Sequence, residues 1–295
     1  MKVLITGGSG MLGHKLWQSF SPRFDTYATF RANPDNYPSA SIFDRSRMFG
    51  GLAADDIEAF EELLQDARPA VVVNCIGIVK QDMAAKDPVT SITVNSLFPH
   101  KLAQVCERID ARLIHLSTDC VFSGHKGSYS EDDNPDPEDL YGRTKLLGEV
   151  QRPNSLTIRT SMIGRELSGA QGLIEWFLSQ QGKQVRGFKR AIFSGLTTLA
   201  LTEMLAEVID RHPKLSGLYH VSAEPISKFD LLTLVRDVYG VEVQIEPDEN
   251  LICDRSLNCA RFRRETDFVP PNWRDMIQRM HDDPTPYEEI RRGNA

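Results

Sequence analysis

Val3-Leu4-Ile5-Thr6-Gly7-Gly8-Ser9-Gly10-Met11-Leu12-Gly13 joins a short apolar run to a glycine turn, and helical spacing follows through Leu16, Trp17 and Phe20. Strand, glycine turn and helix together form the context in which such glycines bind a dinucleotide. Gly7 permits the tight turn, Gly10 lets backbone approach a pyrophosphate, and Gly13 lets the helix pack closely on the strand. The phosphates would meet the first amide groups of the helix, at Met11 and Leu12, where the helix dipole also favours anions. The spacing is GxxGxxG rather than GxGxxG, and a glycine turn can also serve packing alone.

Thr26 to Phe30 reads as the next strand, and Arg31 ends it. In dinucleotide folds an acid about 20 residues past the glycines holds the ribose 2′-hydroxyl of NAD. Arg31 stands here instead, and a guanidinium suits a 2′-phosphate. NADP(H) is therefore expected over NAD(H), with NAD(H) as the alternative; the plain reading of Arg31 is a surface residue opening a loop. Residues 32–50 read as a long loop holding at most a short strand, and Asp55 to Gln65 as a helix ended by Arg68-Pro69.

Ala70-Val71-Val72-Val73-Asn74-Cys75 is a continuous run of the kind found in a parallel strand covered on both faces, and Ile76-Gly77 follows. Backbone there can pass close to a cofactor. Cys75 fits a small core residue better than a nucleophile. The spacing over 88–109 predicts a helix with Val94, Leu97, Leu102, Val105 and Ile109 inward, interrupted by Asn95, which must find partners if buried. Leu113-Ile114-His115-Leu116 reads as a strand, with His115 a satisfied core residue and Ser117-Thr118-Asp119 at the carboxyl end. That edge is where open α/β sheets bind ligands. If Tyr141 opens a helix, Tyr141 and Lys145 share one face.

Leu156 to Arg159 reads as a further strand with Thr160 and Met162 at its ligand edge. Helical patterns follow over 172–181, 197–211, 228–239 and 273–280, with a turn over 182–188 and a strand over 217–221. The expected fold is α/β, a Rossmann-like doubly wound parallel sheet with a smaller C-terminal substrate-binding lobe. Residues 1–163, with about 190–221, would bind the cofactor; 164–189 and 222–285 would form the lobe; 286–295 would be a poorly ordered tail.

The chain of 295 residues is 41% hydrophobic and carries a net charge of −7 with both signs interspersed. No basic stripe is present, which speaks against a nucleic-acid partner. Five cysteines without a CxxC indicate neither a disulfide framework nor a zinc site, and fit a reducing cytoplasm. No apolar run is long enough to span a bilayer, and the opening run is too short for a signal peptide.

These motifs together resemble the extended short-chain dehydrogenase/reductase superfamily. Arg68 to Gly77, Val94-Asn95, His115 to Phe122, Tyr141 to Glu149, Arg159-Thr160-Ser161 and Gly217 to His220 look most like its dTDP-4-dehydrorhamnose reductase-like branch, the nucleotide-sugar 4-ketoreductases. The resemblance runs from residue 1 to roughly 220 and thins afterwards. It implies Tyr141 as general acid, Lys145 as the cation that tunes it and holds the nicotinamide ribose, and Thr118 as donor to the carbonyl oxygen. It places Asn74, Cys75, Ile76, Gly77, Asn95, Ser117 and Thr160 near the cofactor. The resemblance also sets Asp119 at the nucleotide sugar, and Lys80, Gln81, Met162, Arg186 and Phe188 are expected to touch it from the loops they occupy; the plain readings are solvated charges for Lys80 and Arg186 and lobe core for Phe188.

The departures from the family pattern are informative. Met162 replaces the Trp that follows Arg-Thr-Ser in the rhamnose enzyme. Lys15 replaces a Glu that in some relatives joins a magnesium-linked dimer contact, so no metal is expected; a homodimer remains allowed. Cys120 replaces the Glu base of the related dehydratases, which argues for simple reduction. An NAD(P)-dependent epimerase, or a non-catalytic NADP-binding regulatory subunit of the kind the superfamily includes, stays open beside it.

Overall fold

A computed structural model describes residues 1–37, 42–80 and 83–293. The strands begin with β1 (Lys2–Thr6), β2 (Asp25–Thr29), β3 (Met48–Phe49), β4 (Val71–Asn74), β5 (Arg112–Thr118) and β6 (Ser155–Thr160). Short pieces follow: β7 (Met162–Ile163), β8 (Gln184–Phe188), β9 (Ala191–Phe193) and β10 (Leu196–Thr197). The last are β11 (Gly217–His220), β12 (Ile226–Ser227), β13 (Gln244–Asp248) and β14 (Cys253–Asp254). The helices are α1 (Met11–Phe20), α2 (Ile57–Ala67), α3 (Pro88–Ile92), α4 (Phe98–Arg108), α5 (Leu140–Leu147) and α6 (Leu173–Leu178). They continue with α7 (Thr198–Arg211), α8 (Lys228–Tyr239), α9 (Ala260–Thr266), α10 (Trp273–His281) and α11 (Tyr287–Gly293).

Seven parallel strands form the main sheet in the order β11-β6-β5-β4-β1-β2-β3. The order runs outward in both directions from the β1/β4 pair, the arrangement that opens a ligand crevice at the carboxyl ends. Alternation explains the layers. Val3, Ile5, Val71, Val73, Ile114 and Leu116 face one core with Leu16, Trp17 and Leu201, from α1 and α7. Leu4, Val72 and Leu113 face the other, with Phe60, Leu64, Phe98 and Leu102 from α2 and α4. A strand covered on both faces must be apolar at every position, which is why β4 reads Val-Val-Val.

Beyond β6 the chain builds small sheets over the carboxyl edge: β7 with β10, β9 between β12 and β14, and β8 beside β13. Here sequence and structure part. Residues 182–188, expected as a turn, hold the strand β8, whose parallel partner β13 lies far along the chain. The expected tail from 286 also fails: α11 docks with Tyr287 and Ile290 buried. Its Pro, Glu and Arg content reads as solvated, but Arg165 pairs with Glu288 and Arg291 with Glu175. The helix expected over 88–109 is interrupted by a π-helical turn at Thr93–Leu97, and Leu97 points outward, 46% exposed. Ser91, Asn95 and Ser96 take inward positions that the apolar pattern gave to Val94 and Leu97.

Candidate active site

The glycine turn links β1 to α1. Gly7 adopts φ 75°, and its N–H donates to Thr29 Oγ1 at 3.3 Å. The Gly10 N–H donates to Gly7 O at 3.1 Å. A Cβ on Gly13 would lie 2.1 Å from Gly7 O, so the helix rests directly on the turn. Gly10 is the N-cap residue of α1, and no side chain caps the helix. Its first amides, including those of Met11 and Leu12, therefore lack intrahelical partners and suit an anion. Arg31 is exposed two residues past the end of β2.

Asn74 ties the three central strands together at the same edge. Its Oδ1 accepts from Thr6 Oγ1 at 2.8 Å and from the Ile76 N–H at 3.2 Å. Its Nδ2 donates to His115 Nδ1 at 3.1 Å. His115 thus carries its proton on Nε2, which has no partner among the described residues. Burial holds this ring well below the usual histidine range, so His115 is a neutral core group, half satisfied rather than fully. Burial pushes the Cys75 thiol up to about 12, which makes it an inert packing group.

Asn95, in the π-helical turn, clamps the loop after β4. Its Oδ1 accepts the Ile78 N–H at 2.9 Å, and its Nδ2 donates to Ile78 O at 3.1 Å and to Thr144 Oγ1 at 3.3 Å. A Cβ on Gly77 would meet Asn95 Oδ1 at 3.4 Å and Lys145 Nζ at 3.9 Å, which puts all three residues at one point.

Helix α5 starts where the Asp139 carboxylate accepts the Gly142 N–H at 2.8 Å. It lies close to backbone at both ends: a Cβ on Gly142 would meet Cys120 O at 2.2 Å, and one on Gly148 would meet Asn95 O at 1.9 Å. Lys145 is buried, and its Nζ donates to Leu116 O at 2.7 Å. Burial lowers its pKa to about 8, opposed by the Glu149 carboxylate. Burial raises the Tyr141 phenol above its ordinary range, and the Thr118 hydroxyl beside it pulls the other way. Thr118 Oγ1 donates to Asp119 Oδ1 at 3.2 Å and accepts the Cys120 N–H at 3.1 Å. β5 runs two residues further than the apolar pattern indicated, so Ser117 and Thr118 are strand residues and Thr118 stands beside Thr160.

Several partners went unassigned in the sequence. Ser117 Oγ donates to Glu149 Oε1 at 2.7 Å. Arg159 grips the same carboxylate through Nε at 2.7 Å and Nη2 at 2.8 Å, with both side chains almost wholly buried. The signal was present: Glu149 follows Lys145 by one helical turn. Lys228 and Arg255 reach the turn after β5 from the C-terminal half. Burial raises the Asp119 carboxyl, and these two cations oppose that rise. Arg255 Nε donates to Phe122 O at 2.8 Å. No periodicity or motif marks either residue.

The expected sugar contacts are scattered. Met162 is half-buried at the start of β7. Lys80 Nζ lies 2.7 Å from Asp139 Oδ2, at the start of the Tyr141 helix. The Arg186 side chain is 72% exposed and faces Asp248 at 3.5 Å. Gln81 lies outside the described residues. Lys15 is committed within the chain, to Asp283 at 2.5 Å.

Residues 1–285 match the family described as RmlD substrate binding domain. The chain belongs to that family. The dTDP-4-dehydrorhamnose reductase of Mycolicibacterium smegmatis is 26% identical, over 82% of this chain and 70% of its own length. A solved structure described as a hypothetical dTDP-4-dehydrorhamnose reductase from Sulfolobus tokodaii superposes with a TM-score of 0.77 at 27% identity, over 92% of this chain and 98% of that one. The dTDP-4-dehydrorhamnose reductase of Bacillus anthracis, solved in complex with NADP, shares the fold with a TM-score of 0.78 at 23% identity, over 95% and 96%. These RmlD-family likenesses span both the glycine turn and the small sheets over the carboxyl edge.

Proposed function

We propose that the protein uses NADPH to reduce the 4-keto group of a nucleotide-activated 6-deoxy sugar. The observation that carries the reading is the Tyr141 phenol beside the Thr118 hydroxyl, one helical turn along α5 from the buried Lys145. Membership of the RmlD family and likeness to named reductases support the substrate class. Bound NADPH supplies the hydride.

Tyr141 gives its proton to the carbonyl oxygen as charge develops there. Lys145, a cation below about 8, lowers the cost of the phenolate that remains. Thr118 turns its hydroxyl from Asp119 to the same oxygen. Gly7, Gly10, Met11, Leu12 and Gly13 bind the pyrophosphate; Asn74, Cys75, Ile76, Gly77, Asn95, Ser117 and Thr160 bound the nicotinamide side. Lys80, Asp119, Met162 and Arg186 serve the sugar nucleotide, within a lobe of 164–189 and 222–285. At the position of the dehydratase Glu, burial holds the Cys120 thiol up at about 12, so it is no base at neutral pH. This favours reduction without elimination.

Mixing the protein with NADPH and dTDP-, UDP- and GDP-4-keto-6-deoxy sugars should deplete the reduced-nicotinamide absorbance with at least one; turnover with none rejects the reading. Arg31 serves the 2′-phosphate. Arg31→Ala should weaken NADPH by about tenfold or more while leaving NADH nearly unchanged, as expected for one charge-assisted contact. Titration of both cofactors checks it, and an unaltered preference removes Arg31 from the site.

A homodimer and a cytoplasmic location complete the reading. Exposed Val89, Ile92 and Leu147 support the first, and five free thiols the second. Sedimentation of the purified chain tests the dimer. No helix among the described residues is long and apolar enough to cross a membrane.

A further inference from the structure

We infer that the C-terminal helix α11 is part of the cofactor site: through Tyr287 and His14 it orients the peptide unit that presents the Met11 amide to the pyrophosphate. This rests on the dinucleotide reading above and assigns positioning roles to two residues outside the glycine motif.

His14 lies one turn into α1 and is fully buried. Its backbone N–H donates to Gly10 O at 3.1 Å, and its ring Nδ1 lies 2.9 Å from the same oxygen. A carbonyl oxygen only accepts, so Nδ1 carries the proton and Nε2 of the neutral ring must accept. The ring is neutral because burial lowers its pKa to about 4. Nε2 lies 2.9 Å from the Tyr287 hydroxyl. That hydroxyl also lies 3.3 Å from Asp283 Oδ2. The shorter contact, and the acceptor on the ring, assign the single phenolic proton to His14.

The consequence follows from peptide geometry. The Gly10 carbonyl and the Met11 N–H belong to one planar trans unit. Two donors on the carbonyl fix the plane, and the opposite N–H then points out of the helix N-terminus, where it has no intrahelical acceptor. His14 therefore aims a phosphate donor, and Tyr287 fixes the tautomer and tilt of His14.

Tyr287 is itself held from several sides. The Arg165 guanidinium lies 4.8 Å from its ring centre. Asp283 is anchored by Lys15 at 2.5 Å, and Thr285 Oγ1 receives a bond from Gln18 Nε2 at 2.9 Å. Arg291 Nη2 donates to Gly169 O at 2.6 Å. Both Lys15 and Gln18 lie on α1, so the segment from 283 onward grips the cofactor helix along its first two turns.

The test uses the full chain and nicotinamide fluorescence. Saturable binding of NADPH by the unaltered protein is the first requirement; its absence would reject the dinucleotide reading itself. With that in hand, Tyr287→Phe should raise the NADPH Kd about five- to tenfold, the equivalent of one hydrogen bond. Its affinity for adenosine 2′-phosphate, which lacks the pyrophosphate, should stay unchanged in competition. His14→Leu should show the same selective loss, and the double variant should lose little more than the larger single one. An unchanged NADPH Kd in either folded variant, or parallel weakening of both ligands, overturns the inference and leaves α11 a structural strap.

Discussion

Tyr141→Phe is expected to lower kcat about 10³-fold, within the range general-acid catalysis contributes, while the Kd for NADPH stays near its original value. Phenylalanine keeps the ring and loses only the hydroxyl that stands beside Thr118. Lys145 keeps its bond to Leu116 O, and the Asn95 clamp on Ile78 does not involve the phenol. Cofactor binding and proton transfer thus separate in this one substitution. Single-turnover oxidation of NADPH and a fluorescence titration read the two quantities. Undiminished turnover would remove Tyr141 from the chemistry; lost cofactor affinity would mean the helix itself had shifted.

The second large effect is expected at Glu149. Glu149→Gln leaves Arg159 buried opposite a neutral group. Losing one partner of a buried pair costs roughly 3 kcal/mol, a fall in Tm of roughly 5 °C for a chain of this size. The catalytic consequence is distinct. In the intact protein the positive form of Lys145 is lost as pH rises through about 8, so kcat/KM should fall there. The Glu149 carboxylate raises that pKa. Its removal should move the alkaline limb to lower pH. A thermal melt and a pH profile test both parts. A shifted melt with an unmoved limb would confine Glu149 to a structural role.

The first half of the chain was largely legible because its rules are local. The apolar runs at Val3–Ile5 and Val71–Val73, the glycine turn and the Tyr141–Lys145 spacing each carry their meaning within a few residues. Helix α8 begins and ends where its spacing said, between Ser227 as cap and Gly240 in the left-handed region. Non-local pairing hid the rest. β8 needs β13 as its partner, and nothing in Gln184–Phe188 announces it. α11 exists because Tyr287 and Ile290 find a core that only the folded chain provides. In α3 and the turn after it the apolar residues lie outside and the polar ones inside, where Asn95 clamps the loop after β4 and Ser96 bonds α5. Arg255 and Lys228 reach Asp119 from across the fold, a relation no sequence window contains.

Helix α5 makes a point about variation. Its Tyr and Lys lie between two points where backbone meets backbone, Gly142 against the turn after β5 and Gly148 against the π-helical turn at Asn95. The placement of Tyr141 and Lys145 therefore depends on two positions that leave no room for a side chain. Leu147, exposed on the same helix, can vary without reaching it. Change in the exposed side chains around the helix then leaves that placement intact, whereas any side chain at Gly142 or Gly148 displaces it.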